Sequence, residues 1–305
     1  MPGLNKRRAM LCGALMMASL PVLADDVLSV GHIRPDTGDE HRSVYFLELL
    51  EAALVASAKR YGPFELREAP VQMTQSRAMR EMQRGRYVDV IWTMSDRSRE
   101  AALLPVRIPL LRGLLGVRVP VVATGQADDW TGVDSLEKLR ERVPGQGHDW
   151  PDTRVLAANG IRVETVSAYE SLFRMLARHR IDYVPRAVAE VWAEEALYQR
   201  YDLKVLSQPL IVYPAPIYFF VAPDNKTLAE RLEYGLQALI QSGEFEELFE
   251  SHPANRWAID NFLDEAGTMI RLHNPDLSPE TPLDNPDLWF EGVFDERDRQ
   301  GAEPP

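Results

Sequence analysis

The sequence predicts an α/β chain folded as two lobes joined by two crossovers, and three observations carry that prediction. Short apolar strands alternate with helix-period segments between residues 28 and 92, the signature of parallel strands linked by helical crossovers. A stretch at 105–122 is apolar and β-branched, is punctuated by Gly113, Gly116 and Pro120, and is longer than one ordinary strand. A second such stretch at 203–221, interrupted by Pro209, Pro214 and Pro216, returns after a second α/β unit. A chain of 305 residues suits two domains or one large one.

Each element follows from local pattern. Residues 28–33 form a short alternating strand that ends at Pro35. Tyr45, Leu49, Ala52, Ala53 and Ala56 recur at helical spacing from Ser43 until Gly62 and Pro63 stop the helix. Phe64, Leu66 and Val71 mark a strand over 64–71. Ser76 is expected to cap a short helix bearing Ala78, Met79 and Met82 that ends at Gly85, and 88–92 is the third strand. In the second unit the pattern predicts helices over 135–142, 151–159 and 167–180, with strands over 162–166 and 181–184. Ser167 with Glu170 reads as a capping box. Thr227 with Glu230 reads as another, opening an amphipathic helix through Leu228, Leu232, Leu236 and Leu239 that Gly243 breaks before 245–249. From Asn274 the chain is rich in proline and acid, with Leu283, Leu288, Trp289 and Phe290 as scattered anchors. It reads as a tail wrapped over a lobe and frayed after Asp295. The resulting division is lobe 1 over 25–122 and 211–273, lobe 2 over 123–210, and a tail over 274–305.

Composition excludes several classes. Hydrophobic residues make up 45% and charged residues 26%, which rules out wholesale disorder. Lys and Arg number 34 against 46 Asp and Glu, a net charge of −12, so there is no basic footprint for nucleic acid. A single Cys12 excludes an internal disulfide framework and a cysteine zinc ribbon. Lys6, Arg7 and Arg8 precede an apolar stretch over 9–20, and Ala24 offers a small residue before Asp25 and Asp26. That is the pattern of a cleaved secretory signal over 1–24, too short to anchor the chain. A lipoprotein at Cys12 is disfavoured by Leu11, which stands where a small residue is expected. Cleavage removes the only cysteine, and the expected compartment is a bacterial periplasm.

The run Val88-Asp89-Val90-Ile91-Trp92-Thr93-Met94-Ser95, followed by Arg99 and the segment 104–109, supplies a strand, a polar loop, an arginine and a crossover strand. Gly145-Gln146-Gly147-His148-Asp149-Trp150-Pro151 supplies a loop and helix start, His179-Arg180-Ile181-Asp182-Tyr183 a turn into a strand, and 243–249 a closing helix. Over roughly 27–250 this succession resembles the type II periplasmic solute-binding proteins, the polar amino acid-binding components of ABC uptake systems. It is most similar to a branch of unassigned ligand. The resemblance implies two lobes, each a mixed, mostly parallel sheet flanked by helices, closing on a small polar solute. It also implies an arginine that grips the ligand, a monomer, and an inner-membrane permease or sensor protein as partner. No cofactor is implied.

The candidate ligand-binding residues are Trp92, Thr93, Ser95, Arg99, Gln146, His148, Asp149, Trp150 and Arg186. Arg99 follows the carboxyl end of the third strand, where open α/β sheets bind ligands, and a guanidinium can hold a carboxylate by two parallel hydrogen bonds. Arg97 is the register-shifted substitute. Thr93 and Ser95 line the same loop, and Trp92 is either packing at the strand end or an aromatic floor. Pro151 and Gly160 bracket a compact helix whose N-terminus would offer backbone N–H groups beside Gly145-Gln146-Gly147; the alternative is that Asp149 caps the helix and consumes them. Gln146 and His148 would supply directed hydrogen bonds. His148 and Asp149 are adjacent and have no third ligand at useful spacing, which argues against a metal.

One departure from the family shapes the ligand expectation. Amino acid binders usually carry an acid about five residues after the turn aspartate, and Asp182 is followed there by Pro185, Arg186 and Ala187. Unless Glu190 reaches in, the partner of an α-ammonium is missing and the expected solute is anionic or neutral; otherwise Arg186 simply pairs with Glu190 on a surface. Glu194, Glu195, Glu246 and Glu247 read as solvated helix faces. Arg107, Arg112 and Arg118 are spread along the crossover. Three functions compete: a transport binding protein, a sensor of the same fold, and a periplasmic dehydratase or hydrolase. The third has only His148 and Asp149 to handle protons, and no Gly-x-Ser-x-Gly or His-Glu-x-x-His run.

Overall fold

The computed structural model describes residues 27–34, 40–263, 267–291 and 294. The signal segment with Cys12, the strand stop at Pro35 and the fraying after Asp295 lie outside the described residues. The first lobe holds β1 Leu28–His32, α1 Glu40–Tyr61, β2 Phe64–Glu68, α2 Gln75–Gln83, β3 Val90–Met94, α3 Arg97–Ala102 and β4 Leu104–Val106. The chain then crosses through a 3-10 turn at Leu114–Gly116 into β5 Val117–Ala123 of the second lobe. There follow α4 Leu136–Arg140, β6 Gly145–Gly147, α5 Asp152–Ala158, β7 Glu164–Val166, α6 Tyr169–Leu176 and β8 Val184–Ala187. Two helices that the sequence pattern does not announce come next, α7 Val188–Val191 and α8 Glu195–Tyr201, then β9 Leu203–Val205 and β10 Leu210–Val212. The return crossing leads to β11 Ile217–Val221, α9 Lys226–Ser242, α10 Glu244–Ser251 and α11 Pro253–Ala258. A last strand is β12 Met269–Arg271.

The first sheet has the order β2-β1-β3-β11-β4 and the second β12-β10-β5-β8, with β9 also on β5 and a separate β6-β7 pair. β1 runs parallel to β2 and β3, as the alternation predicts. The crossing strands pair antiparallel: β11 with β3 and β4, and β5 with β8, β9 and β10. Both sheets are therefore mixed, with fewer parallel pairs than expected, because each crossover inserts a reversed strand. The lobe boundaries also move. Residues 117–122 and 211–212 belong to the second sheet, and β12 joins it by pairing parallel to β10, so these segments leave the first lobe.

The two crossings touch. The Tyr213 amide donates to the Gly116 carbonyl at 3.1 Å, and a Cβ on Gly116 would stand 2.0 Å from the Tyr213 carbonyl oxygen, so only glycine fits. In the first lobe α9 lies on α1 through Leu228, Leu232, Leu236 and Leu239 against Leu49, Leu50 and Leu54, all buried. Each such leucine contributes about 1.5–3 kcal/mol. The helices approach at Gly235, where a Cβ would come 2.0 Å from the Ala53 carbonyl.

Three predicted caps are corrected. Thr74, not Ser76, caps α2; α6 starts after Ala168 without a side-chain cap, and Glu170 accepts from the Tyr201 hydroxyl instead; Asn225, not Thr227, caps α9. The tail does more than cover one lobe: it touches both lobes and the first crossing.

Candidate functional site

The first-lobe wall is the carboxyl end of β3. Asp96 caps α3 by accepting the Arg99 amide at 2.8 Å, which folds the helix back so that the Arg99 side chain lies under the strand end. Its Nη1 donates to Thr93 Oγ1 at 2.6 Å and the Met94 carbonyl at 2.8 Å. Its Nη2 donates to Gln75 Oε1 at 3.0 Å and to the Asp149 carbonyl, from the second lobe, at 3.4 Å. Nε lies 3.6 Å from Asp96 Oδ2. Burial lowers the Arg99 pKa below its ordinary value, and Asp96, Asp152 and Asp149 oppose that shift.

The second-lobe wall starts at β6. A Cβ on Gly147 would stand 2.6 Å from the Trp150 ring, so the absent side chain lets the indole fold against the strand. Asp149 does not cap α5. Its carbonyl faces Arg99 and its Oδ2 accepts the Ser76 hydroxyl at 3.2 Å, both partners coming from the first lobe. In the first turn of α5, Asp152 occupies the ground expected for an anion: Arg118 pairs with it at 2.6 Å and the Tyr213 hydroxyl donates to it. Arg154, two residues further in the same turn, bridges Asp96 of the first lobe at 3.0 Å and Asp276 of the tail.

Deeper in the second lobe Arg186 is 2% exposed and holds both oxygens of Glu194 at 2.6 and 3.0 Å, with Glu190 at 3.1 Å. Burial alone would lower its pKa; Glu190 and Glu194 overcome that and raise it well above the usual range. Tyr169 and Tyr198 donate their hydroxyls to Glu194, and the Arg186 guanidinium stands 5.5 Å from the Trp150 ring centre. Glu190 also accepts from Arg118 at 3.4 Å and from the Ala187 amide at 3.1 Å. The expected solvated Glu194 is thus a buried counter-ion, while Glu195, Glu246 and Glu247 are exposed. The premise of an uncompensated Arg186 is corrected as well, because Glu190 does reach in.

The structure brings together Thr93, Arg99 and Asp149 at the lobe interface, and Trp150 with Arg186 beneath it. Trp92 is buried and stacks on Phe46 at 5.6 Å. Ser95 turns away: its hydroxyl donates to Glu100, which pairs with Arg107. His148 is exposed, with its ring nitrogen 3.4 Å from the Val166 carbonyl. Gln146 is fully buried with no hydrogen-bond partner on its amide atoms, on the opposite strand face from Gly145 and Gly147. Arg97 bonds the tail rather than the Arg99 cluster. Gln75, Asp96, Asp152, Arg154 and Tyr213 join these clusters without having been named as candidates from the sequence, and Glu194 joins them although it reads there as solvated. The readable signal was the succession of Arg186, Glu190 and Glu194 at four-residue intervals, although Arg186 sits on β8, Glu190 on α7 and Glu194 in the turn that follows.

Beside the interface is a small apolar cavity of about 70 Å³, lined by Tyr45, Phe46, Leu115, Glu190, Ile217 and His252 among others. A larger groove of about 700 Å³, between Trp130, Lys204, Pro209 and Trp257, contains none of these site residues. Among the described residues no cluster of three or more His, Cys, Asp or Glu could hold a metal ion, and no helix is long and apolar enough to cross a membrane.

No protein-family model matches the chain, and no curated protein matches it. Solved structures do. An ancestral arginine-binding protein bound to arginine is 18% identical, with a TM-score of 0.53, covering 74% of this chain and 98% of its own. A periplasmic binding protein of Salmonella typhimurium, described for its high arginine specificity, is 14% identical with a TM-score of 0.53, over 73% of this chain and 98% of its own. An ancestral amino acid-binding protein, precursor of a cyclohexadienyl dehydratase, is 15% identical with a TM-score of 0.51, over 73% and 93%. This chain has the two-lobed α/β fold of these periplasmic binding proteins.

Proposed function

We propose that the chain is a periplasmic solute-binding protein, exported through its N-terminal signal, that captures a small polar solute between its lobes by hinge closure. The observation that carries the reading is the meeting of Arg99 from one lobe with Asp149 from the other, at the carboxyl end of β3 and beside two crossing strands. The solute bears a carboxylate that competes with Gln75 Oε1 and the Asp149 carbonyl for the Arg99 guanidinium. Arg186 is balanced by Glu190 and Glu194, so the preference for a carboxylate rests on Arg99 and not on Arg186. The protein works as a monomer that delivers its solute to an inner-membrane permease or, alternatively, reports it to a sensor.

A binding protein is favoured over an enzyme because the one pair read as proton-handling is split. His148 faces Val166 at the surface while Asp149 faces Ser76 and Arg99. The test is thermal denaturation with amino acids, mono- and dicarboxylates, polyamines and small peptides. A ligand at 100 times its Kd adds about 2.7 kcal/mol to stability. A carboxylate should raise the Tm of the parent, and the rise should vanish in Arg99→Ala that still folds by circular dichroism. A hit that Arg99→Ala leaves unchanged would remove Arg99 from the site, and no hit at all would count against solute capture.

A further inference from the structure

After β12 the chain leaves the second lobe along a defined route. His273 exchanges two hydrogen bonds with the buried Asn159 side chain at the end of α5, at 2.7 and 2.9 Å. Asn274 then donates to the Pro214 carbonyl of the return crossing at 2.8 Å. At Asp276 the two lobes are joined: its carboxylate pairs with Arg154 of the second lobe, and its carbonyl accepts the Arg97 amide of the first lobe at 3.0 Å. The Leu277 carbonyl accepts Arg97 Nε at 3.2 Å, and Glu280 pairs with Arg107 at 2.6 Å, so the next turn is tied to the first lobe alone. Finally Trp289 and Phe294 bury their rings over Gly113, and the Phe290 amide donates to the Arg112 carbonyl at 2.7 Å, on the outward crossing.

We propose that residues 273–290 are a strap that sets the closing angle of the lobes, with Asp276 as its pin. Its end and its middle have different chemistry. The aromatic end is anchored by burial, which salt does not weaken. The middle is anchored by ion pairs whose members are partly exposed, Arg154 at 51% and Glu280 at 68%, and such pairs are weak singly and screened by salt. Arg154 counts for more than a lone surface pair because it also holds Asp96, whose side chain is 4% exposed. Lobes joined by crossing strands can move relative to one another, so a tie across their interface adds a restraint to the direct contacts of Arg99 and Ser76 with Asp149. The strap yields in its middle while remaining attached at both ends, and the lobes open when the Asp276 and Glu280 pairs are released.

The test requires no solute, so it can fail or succeed independently of the solute-binding reading. The full chain carrying Cys12→Ser is given two cysteines at exposed positions, Arg80→Cys on α2 and Arg178→Cys beyond α6, and labelled with nitroxides. Pulsed dipolar spectroscopy then reads the distance between the lobes. The expected result is a single narrow distribution in this parent. It should shift to longer distance and broaden in Asp276→Asn/Glu280→Gln, in Arg154→Ala, and in the parent at about 1 M salt, where the screening length is about 3 Å. A chain ended after His273 should broaden most; if circular dichroism shows that it does not fold, the charge variants and the salt series decide. A distribution unchanged by the charge variants and by salt overturns the proposal, as does a parent already as broad as they are.

Discussion

At Arg186 the cost of burying a guanidinium is met by two carboxylates, and the balance between them sets what a substitution does. Glu194→Ala would leave Arg186 with Glu190 alone, a carboxylate that Arg118 already shares, and would strip the acceptor from the Tyr169 and Tyr198 hydroxyls; breaking a buried pair in this way costs about 3–5 kcal/mol. The urea midpoint should fall accordingly, with the m-value unchanged. The Arg112–Glu246 pair is the contrast: Glu246 is 61% exposed, so Glu246→Ala should cost less than about 1 kcal/mol in the same titration. His252 makes a pH prediction. Burial among Tyr45, Ala254 and Asn255 lowers its pKa below the ordinary 6.5, against a smaller opposing pull from Glu48. The unfolded chain therefore takes up a proton near pH 6.5 that the folded chain resists. The contribution is complete above that pH and is lost as pH falls below it. The difference in urea midpoint between parent and His252→Gln should shrink or reverse between about pH 7.5 and about pH 5.5; a constant difference would contradict the assignment.

At the scale of elements, the longer helices and the strands of the first sheet were legible because their causes are local, whereas short elements such as α3, α7, α8 and β12 were not. The spacing of Leu228, Leu232, Leu236 and Leu239 fixes the buried stripe of α9, and Gly243 at φ 83° ends it. Caps were less legible, since several capable residues lie side by side and tertiary partners choose among them. Ser76 is drawn to Asp149 across the interface, and Glu170 to Tyr201. Asn225→Ala should cost about 1 kcal/mol in stability, while Thr227→Ala should leave the denaturation midpoint nearly unmoved. Gly235→Ala should cost about 1–3 kcal/mol, because its methyl meets the α1 backbone rather than a side chain that can rotate away.

At the scale of the whole molecule, one buried cluster runs through both lobes, from Leu49 and Val90 through Leu115 and Tyr213 to Val155 and Phe173. The second sheet also recruits β12 from the far end of the sequence. Neither lobe can lose its core without exposing the other's. Scanning calorimetry should accordingly give one transition with equal calorimetric and van't Hoff enthalpies, where two resolved peaks would show separable lobes.

The sequence by itself determined much of the alternation of strands and helices, the two crossings and the third strand that leads to Arg99, because periodicity, glycine and proline act over a few residues. It could not determine who neutralises whom. Asp152 meets Arg118 and Tyr213, and Arg154 joins Asp96 to Asp276, only after β5, β10 and β11 have taken their places and carried distant segments to one interface. Local pattern reports whether a charge lies on a helix or in a loop. Whether that charge is solvated, as with Glu195, or buried as a counter-ion, as with Glu194, depends on the surface packed against it, and that was decided by the tertiary structure.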